Sequence, residues 1–66
     1  MTREEAQAEA RKRYGRRGDA WVLEAEGYRW CCVGRIHEQY FGREVMGRGL
    51  TYEDALADAD RREGKP

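Results

Sequence analysis

The sequence contains no apolar run long enough to form a signal peptide or to cross a membrane. Leucine, isoleucine and valine together number only seven in 66 residues, and there is one proline. A chain this short buries only about 60% of the surface that its unfolded form exposes. We therefore expect a single domain over residues 1–66, located in the cytoplasm, with a thin core that cannot enclose a deep active site.

An excess of charge of one sign is also missing, because the 13 basic and 13 acidic residues cancel. The charge is nevertheless uneven: residues 1–17 have an excess of +3 and residues 50–66 an excess of −2. A general nucleic-acid-binding protein is usually more basic than this. A module that docks on another protein needs no such excess.

The residues that support catalysis or metal binding are scarce. His37 is the only histidine, and the two cysteines, Cys31 and Cys32, are adjacent. Neighbouring residues of a strand point to opposite faces, whereas structural zinc normally takes four converging ligands. The sequence therefore predicts reduced thiols, no metal, no cofactor, no catalytic residues and no enzymatic activity.

What the sequence does contain is a clear succession of local signals. Thr2 and Glu5 have the spacing of a capping box, which predicts a helix over residues 3–14. Alternating apolar residues predict strands over Ala20–Glu26 and Tyr28–Ile36. A third strand is expected over Tyr40–Met46, with Gly42 marking a bulge or a turn.

The stretch from Gly47 onwards predicts the end of a strand, a turn and a second helix. Thr51 is the expected N-cap of this helix, with its hydroxyl accepting a hydrogen bond from the backbone N–H of Asp54. Residues 63–66 should fray. The predicted fold is α+β (αβββα): a three-stranded antiparallel sheet whose one apolar face is covered by both helices.

This succession resembles the double-stranded-RNA-binding domain, whose last helix follows the pattern Gly-x-Gly-x-Ser-Lys-Lys-x-Ala-Lys-x-x-Ala. The matching residues here are Gly47, Gly49, Thr51, Ala55 and Ala59. The positions of the lysines that contact RNA in that family hold Tyr52, Glu53 and Leu56. The resemblance thus implies the fold, while a glutamate in place of a lysine would repel the phosphate backbone.

The strand of residues 28–35 and the helix of residues 51–59 also resemble segments of short accessory proteins from bacteriophages and prophages. Many such proteins, anti-CRISPR proteins among them, dock on a host or defence protein. This resemblance implies a small phage-type inhibitor whose partner is a macromolecular complex of the host.

The sheet face without helices is the expected binding surface. If the helices cover Tyr28, Trp30, Cys32 and Ile36, the alternate residues of the second strand face outward. The predicted partner-binding residues are Arg29, Val33, Arg35 and Tyr40. A mixture of arginine, aromatic and aliphatic side chains is typical of protein interfaces, and aromatic residues on a sheet can also stack on single-stranded bases.

The alternative is a nucleic-acid-binding module that uses the basic end of the first helix. Its candidate residues are Arg11, Lys12, Arg13, Arg16 and Arg17. Cations in the last turn of a helix also stabilise the helix dipole, so this cluster has a purely structural interpretation as well. A homodimer is a further arrangement that the short core leaves open.

Overall fold

A computed structural model describes residues 1–37 and 42–64. Two helices flank three strands in the chain: α1 (Arg3–Tyr14), β1 (Gly18–Ala25), β2 (Tyr28–Ile36), β3 (Arg43–Gly49) and α2 (Tyr52–Arg62). One short 3₁₀ turn, Gly15–Arg17, joins α1 to β1. The strands form one antiparallel sheet in the order β1-β2-β3. The predicted α+β fold is confirmed.

Both helices begin where the capping signals predict. At α1 the backbone N of Glu5 donates to Thr2 Oγ1 at 3.2 Å, and the backbone N of Thr2 donates to Glu5 Oε1 at 2.8 Å. At α2 the backbone N of Asp54 donates to Thr51 Oγ1 at 3.1 Å. These bonds satisfy N–H groups that have no partner inside a helix. No described helix is long and apolar enough to cross a membrane.

The third strand lies three residues later than predicted, at Arg43–Gly49 instead of Tyr40–Met46. Val33 pairs with Gly47 and Gly34 with Val45, so β3 contains one extra residue at this point. Such an insertion is a β-bulge, and it lies beyond Gly42, the residue that the sequence indicated. Tyr40 falls outside the described residues.

The core lies between the sheet and both helices. Ala6 of α1 and Leu56 of α2 belong to the same buried cluster as Ala20 of β1 and Val33 of β2. Both helices therefore cover the same face of the sheet, as predicted. Small residues dominate this core, since the other members include Ala55 and Ala59.

The face that the helices cover is the opposite of the one predicted. Val33 is completely buried, and Cys31 packs against the same core cluster. The expectation that Val33 faces outward is therefore wrong. Tyr28, Trp30, Cys32 and Ile36, which were expected beneath the helices, belong to the other face of β2.

Glycines explain this choice of face. A Cβ at Gly18 would overlap the backbone of Ala10 in α1, and one at Gly47 would overlap the carbonyl oxygen of Ala55 in α2. The helices thus approach the sheet backbone closely, which only glycine permits. No room remains beneath them for an indole ring, so both tryptophans lie on the other side.

Candidate interaction surface

The sheet face opposite the helices is aromatic, and its pairing register defines it. Trp21 lies opposite Cys32 and Leu23 opposite Trp30, while Cys32 also lies opposite Arg48. Side chains directly opposite each other in an antiparallel pair share a face. We call this surface the aromatic face; it consists of Trp21, Leu23, Tyr28, Trp30, Cys32, Ile36, Arg43 and Arg48.

Large apolar side chains are exposed on the aromatic face. Tyr28 is 59% exposed, Leu23 42% and Ile36 40%. A groove of about 510 Å³ runs across one half of the face, and its apolar lining includes Trp21, Leu23, Ile36 and Val45. Exposed apolar residues are common when they are scattered singly, but a contiguous group marks an interaction site.

Two arginines shield the tryptophans. The guanidinium carbon of Arg43 lies 5.2 Å from the ring centroid of Trp21, and that of Arg48 lies 4.8 Å from the ring of Trp30. Each cation–π contact contributes roughly 0.5–1 kcal/mol at such an exposed site. The arginines thus cover the tryptophans, as the helices cover the other face of the sheet. Trp21 is only 8% exposed beneath the guanidinium of Arg43.

Cys32 lies at the centre of this face and is completely buried. Burial, together with the neighbouring Cys31, raises the pKa of the Cys32 thiol. Because the thiolate is the reactive species, a raised pKa keeps this cysteine unreactive at neutral pH. Cys32 therefore fills space between the two stacked pairs.

The two arginines differ in their remaining contacts. Arg43 Nε lies 3.5 Å from Asp19 Oδ2, and the same carboxylate accepts a hydrogen bond of 2.9 Å from Gln7 Nε2. Arg3 Nη2 lies 3.6 Å from Asp19 Oδ1. Arg43 thus contacts the buried carboxylate of Asp19, which also joins α1 to the sheet.

The guanidinium of Arg48 differs from that of Arg43 in this respect. Within residues 1–37 and 42–64, no carboxylate lies within ion-pair distance of its guanidinium. Only its backbone is held, because the N–H of Arg48 donates to Asp58 Oδ2 at 3.0 Å. This bond, with a second from Arg61, holds the pKa of Asp58 below its usual value. The Arg48 guanidinium therefore rests on Trp30 without an ion pair to the described residues.

Side chains also engage both edges of the sheet. Arg3 Nε donates to the carbonyl oxygen of Ala20 in β1 at 2.9 Å, while Asp58 accepts from β3 as described. An unprotected edge strand invites pairing with another chain. A strand added beside β3 would have to displace Asp58, which leaves the aromatic face as the more accessible surface.

The structure does not gather the predicted partner-binding residues into one surface. Arg29 and Arg35 are exposed, but each is an even number of residues from Val33 and so lies on the same, helix-covered side of β2, with Val33 buried between them. Arg35 Nε donates to Glu44 Oε2 at 3.0 Å. Tyr40 lies outside the described residues.

The basic end of α1 is partly committed to holding the fold together. Arg13 Nη1 donates to Asp60 Oδ1 at 2.6 Å and to the carbonyl oxygen of Leu56 at 3.4 Å, which ties α1 to α2. Lys12 Nζ lies 3.9 Å from Glu9 Oε1. Of the five predicted nucleic-acid contacts, Arg11, Lys12 and Arg16 are exposed, whereas Arg13 and Arg17 are half-buried.

Sequence reasoning missed Arg43 and Arg48, the two arginines of the aromatic face. Alternation within each strand did place Trp21 with Leu23 and Tyr28 with Trp30. Finding the arginines required the register of β3, which the bulge conceals. No protein-family model, curated protein or solved structure matches the chain.

Proposed function

We propose that this chain is a small, non-enzymatic binding protein that docks on another macromolecule through the aromatic face. The observation that supports the proposal is the contiguous surface of Trp30, Tyr28, Leu23 and Ile36, with arginines stacked on both of its tryptophans. Tryptophan, tyrosine and arginine are the residues that most often dominate binding energy in protein interfaces.

Two features favour a protein as the partner. Net charge is zero over the whole chain, which gives no general attraction to a polyanion. Trp21 is covered by Arg43 and so presents little ring surface for a base to stack on. A protein surface with apolar side chains can fill the groove beside Trp21 without displacing that arginine.

The proposal includes a biological role. By its resemblance to phage and prophage accessory proteins, the chain would act in the cytoplasm as an inhibitor, of the anti-CRISPR type, of a host or defence complex. That role depends on the sequence resemblance, whereas the docking surface depends on the geometry.

Nucleic-acid binding is the second candidate. Tyr28 and Trp30 lie with their ring centroids 5.7 Å apart, and Arg48 covers the Trp30 ring. Such an arrangement can stack single-stranded bases. The basic end of α1 supports this candidate less, because Arg13 and Lys12 already lie against carboxylates of this chain.

The test is capture of partners from a bacterial lysate by the immobilised chain, with and without nuclease treatment. Leu23→Asp and Ile36→Asp place a charge on the aromatic face at positions that are already exposed, so both variants should fold. Arg29→Ala and Arg35→Ala are matched controls on the other side of β2. We expect nuclease-resistant capture that the aspartate variants abolish and the controls retain.

Two results would contradict the proposal. Capture that disappears with nuclease would favour nucleic acid. Capture that is lost in the Arg29 or Arg35 variant but kept in Leu23→Asp would place the binding surface elsewhere.

A further inference from the structure

We infer that the partner presents a carboxylate next to an apolar side chain, and that Arg48, stacked on Trp30, is the residue that receives this carboxylate. The inference rests on the proposed function, because it names the chemistry of the partner that the aromatic face binds. In this arrangement Arg48 binds the partner, whereas Arg43 stabilises the fold.

The charged residues of the aromatic face determine which charge a partner must carry. Among the described residues, its exposed charges are the guanidinium groups of Arg43 and Arg48. Asp19, which contacts Arg43, is only 4% exposed and is neutralised by Arg3 and Arg43. At Arg48 the aromatic face therefore offers a positive charge without an ion-pair partner among the described residues, and a complementary partner is negative at the matching position.

The contacts of Arg48 hold its guanidinium in a position that suits a carboxylate. The Trp30 ring supports its guanidinium from one side, and Asp58 fixes its backbone. An arginine held in this way loses less conformational freedom when it binds. Its planar fork of N–H donors matches a carboxylate in a bidentate pair, which is stronger and more directional than a single neutral hydrogen bond.

A groove with apolar side chains lies beside this arginine. Trp30, Arg48, Leu50 and Ala57 line a groove of about 450 Å³ between β3 and α2. Leu50 is 60% exposed, so its side chain is available to a partner. Arg61 lies at the same groove but is already paired with Asp58 at 2.5 Å. Asp54 also lines the groove but makes no ion pair with Arg48. The Arg48 guanidinium is therefore the group of this groove that can receive a single carboxylate, with apolar side chains beside it.

A nucleic-acid backbone fits this surface less well. Asp54 lines the same groove as Arg48, and Glu24 and Glu26 line a hollow around Tyr28. A run of phosphates would meet Asp54 in the Arg48 groove and Glu24 and Glu26 in the hollow around Tyr28. Nucleic-acid affinity depends on several phosphates being neutralised together, and only one unpaired cation is present at this groove.

A second copy of the chain is also a poor match. A two-fold dimer places the same surface on both sides of the interface. The aromatic face would then meet its own copy, so that Arg43 and Arg48 of one copy face the same two arginines of the other. The partner is therefore a different molecule.

The experiment selects ligands without assuming the identity of the natural partner. A random peptide library is panned on the immobilised chain, and enriched peptides are synthesised and mapped by heteronuclear NMR. We expect the peptides to contain Asp or Glu beside an apolar residue and to shift the Trp30 indole N–H. Arg48→Ala should weaken their binding about tenfold or more, while Arg16→Ala, which removes an equal charge from an exposed position elsewhere, should leave it unchanged.

A double-mutant cycle tests the pairing itself. Changing the acidic residue of the peptide to its amide should also weaken binding about tenfold, and that change should cost little further in the Arg48→Ala protein. Arg48→Lys keeps the charge but loses the planar fork, so we expect it to recover binding only in part. NMR spectra of every variant show whether the chain remains folded.

Each failure has a distinct meaning. Peptides that bind the aromatic face but lack acidic residues, or that bind Arg48→Ala as well as Arg16→Ala, would overturn the carboxylate inference and leave docking intact. Tighter binding of a mixed-sequence single-stranded DNA at Trp30 would overturn it in favour of phosphate. A dimer that buries the aromatic face in sedimentation experiments would overturn it in favour of self-association. If no peptide is enriched, or if peptides shift only residues outside this face, the proposed function itself is contradicted.

Discussion

Replacing Gly47 by alanine tests why the two helices cover the face that they do. Gly47 lies beneath α2, where an added Cβ would overlap the carbonyl oxygen of Ala55 and lie 2.6 Å from the backbone N of Ala59. Its φ is not in the left-handed region, so an alanine has no backbone penalty here. Any loss of stability therefore reports the close approach of helix and strand.

The size of the effect follows from two opposing terms. Forcing an extra group into a well-packed core costs about 1–3 kcal/mol. Replacing glycine by alanine at an allowed conformation returns about 0.4–1 kcal/mol, because the unfolded chain loses freedom. The contacts are with backbone atoms that no rotamer change can move, so we expect the upper half of the cost and a net loss of about 2 kcal/mol.

Thermal and urea unfolding measure this loss. In a domain of this size, about 2 kcal/mol corresponds to a decrease in Tm of roughly 8–16 °C. Gly42→Ala is the matched control, because a Cβ there meets no atom within 4 Å, and it should leave Tm unchanged or raise it slightly. If Gly47→Ala were as stable as Gly42→Ala, the helix would not lie against the strand as described, and our explanation of the covered face would be wrong.

Three further substitutions test the cap of α2, the ion pair between Arg13 and Asp60, and the stability of the fold at acid pH. Thr51→Ala should lower the free energy of unfolding by about 1 kcal/mol in urea titrations while Thr51→Ser should not, since only the alanine removes the capping oxygen. Arg13→Ala should cost about 1 kcal/mol by breaking the pair with Asp60; an effect on DNA gel shifts without any change in stability would contradict a structural role. The lowered pKa of Asp58 means that the native state binds its proton less readily than the unfolded chain. Its stabilising contribution is therefore present above about pH 3.9, the unperturbed pKa, and is lost as pH falls below it. Asp58→Asn should flatten this acid branch of the stability curve, and an identical branch in wild type and variant would refute the assignment.

The helices could be predicted from the sequence because their signals are local. A threonine at the start of each helix, with a glutamate three residues later in α1, satisfies free N–H groups wherever the helix goes in the fold. The same holds for the turn at Glu26 and Gly27, both of which have positive φ, 57° and 78°. Turn residues of this kind define a hairpin without reference to the rest of the chain.

The covered face of β2 could not be read from the strand alone. Both of its faces are partly apolar, since Trp30 and Cys32 alternate with Cys31 and Val33. We assumed that the bulkier side chains would be buried beneath the helices. The deciding quantity is instead the distance between helix and sheet, which the glycines and alanines make too short for an indole.

The position of β3 depends on the same close packing. Gly47 lies beneath α2, so the strand must continue to that residue, past the Met46 where the predicted strand ended. The extra residue opposite Val33 and Gly34 then keeps the remaining pairs of β2 and β3 in register. A bulge of this kind has no strong local signal in the sequence. Without it the face on which Arg43 and Arg48 lie could not be predicted.

The two helices of the described residues cover one face of the sheet, and this explains how stability and the proposed binding share the other. The two tryptophans on that face are too large to leave bare, and the arginines shield them at a small energetic cost, since a guanidinium stacks on an indole while keeping its N–H edge hydrated. Arg43 adds an ion pair to buried Asp19, which commits it to the fold. Arg48 makes no such pair with the described residues, so it can cover Trp30 in the free protein and still offer its donors to a partner. The same contact thus protects Trp30 in the free protein and, in the proposed docking, orients Arg48 for the partner.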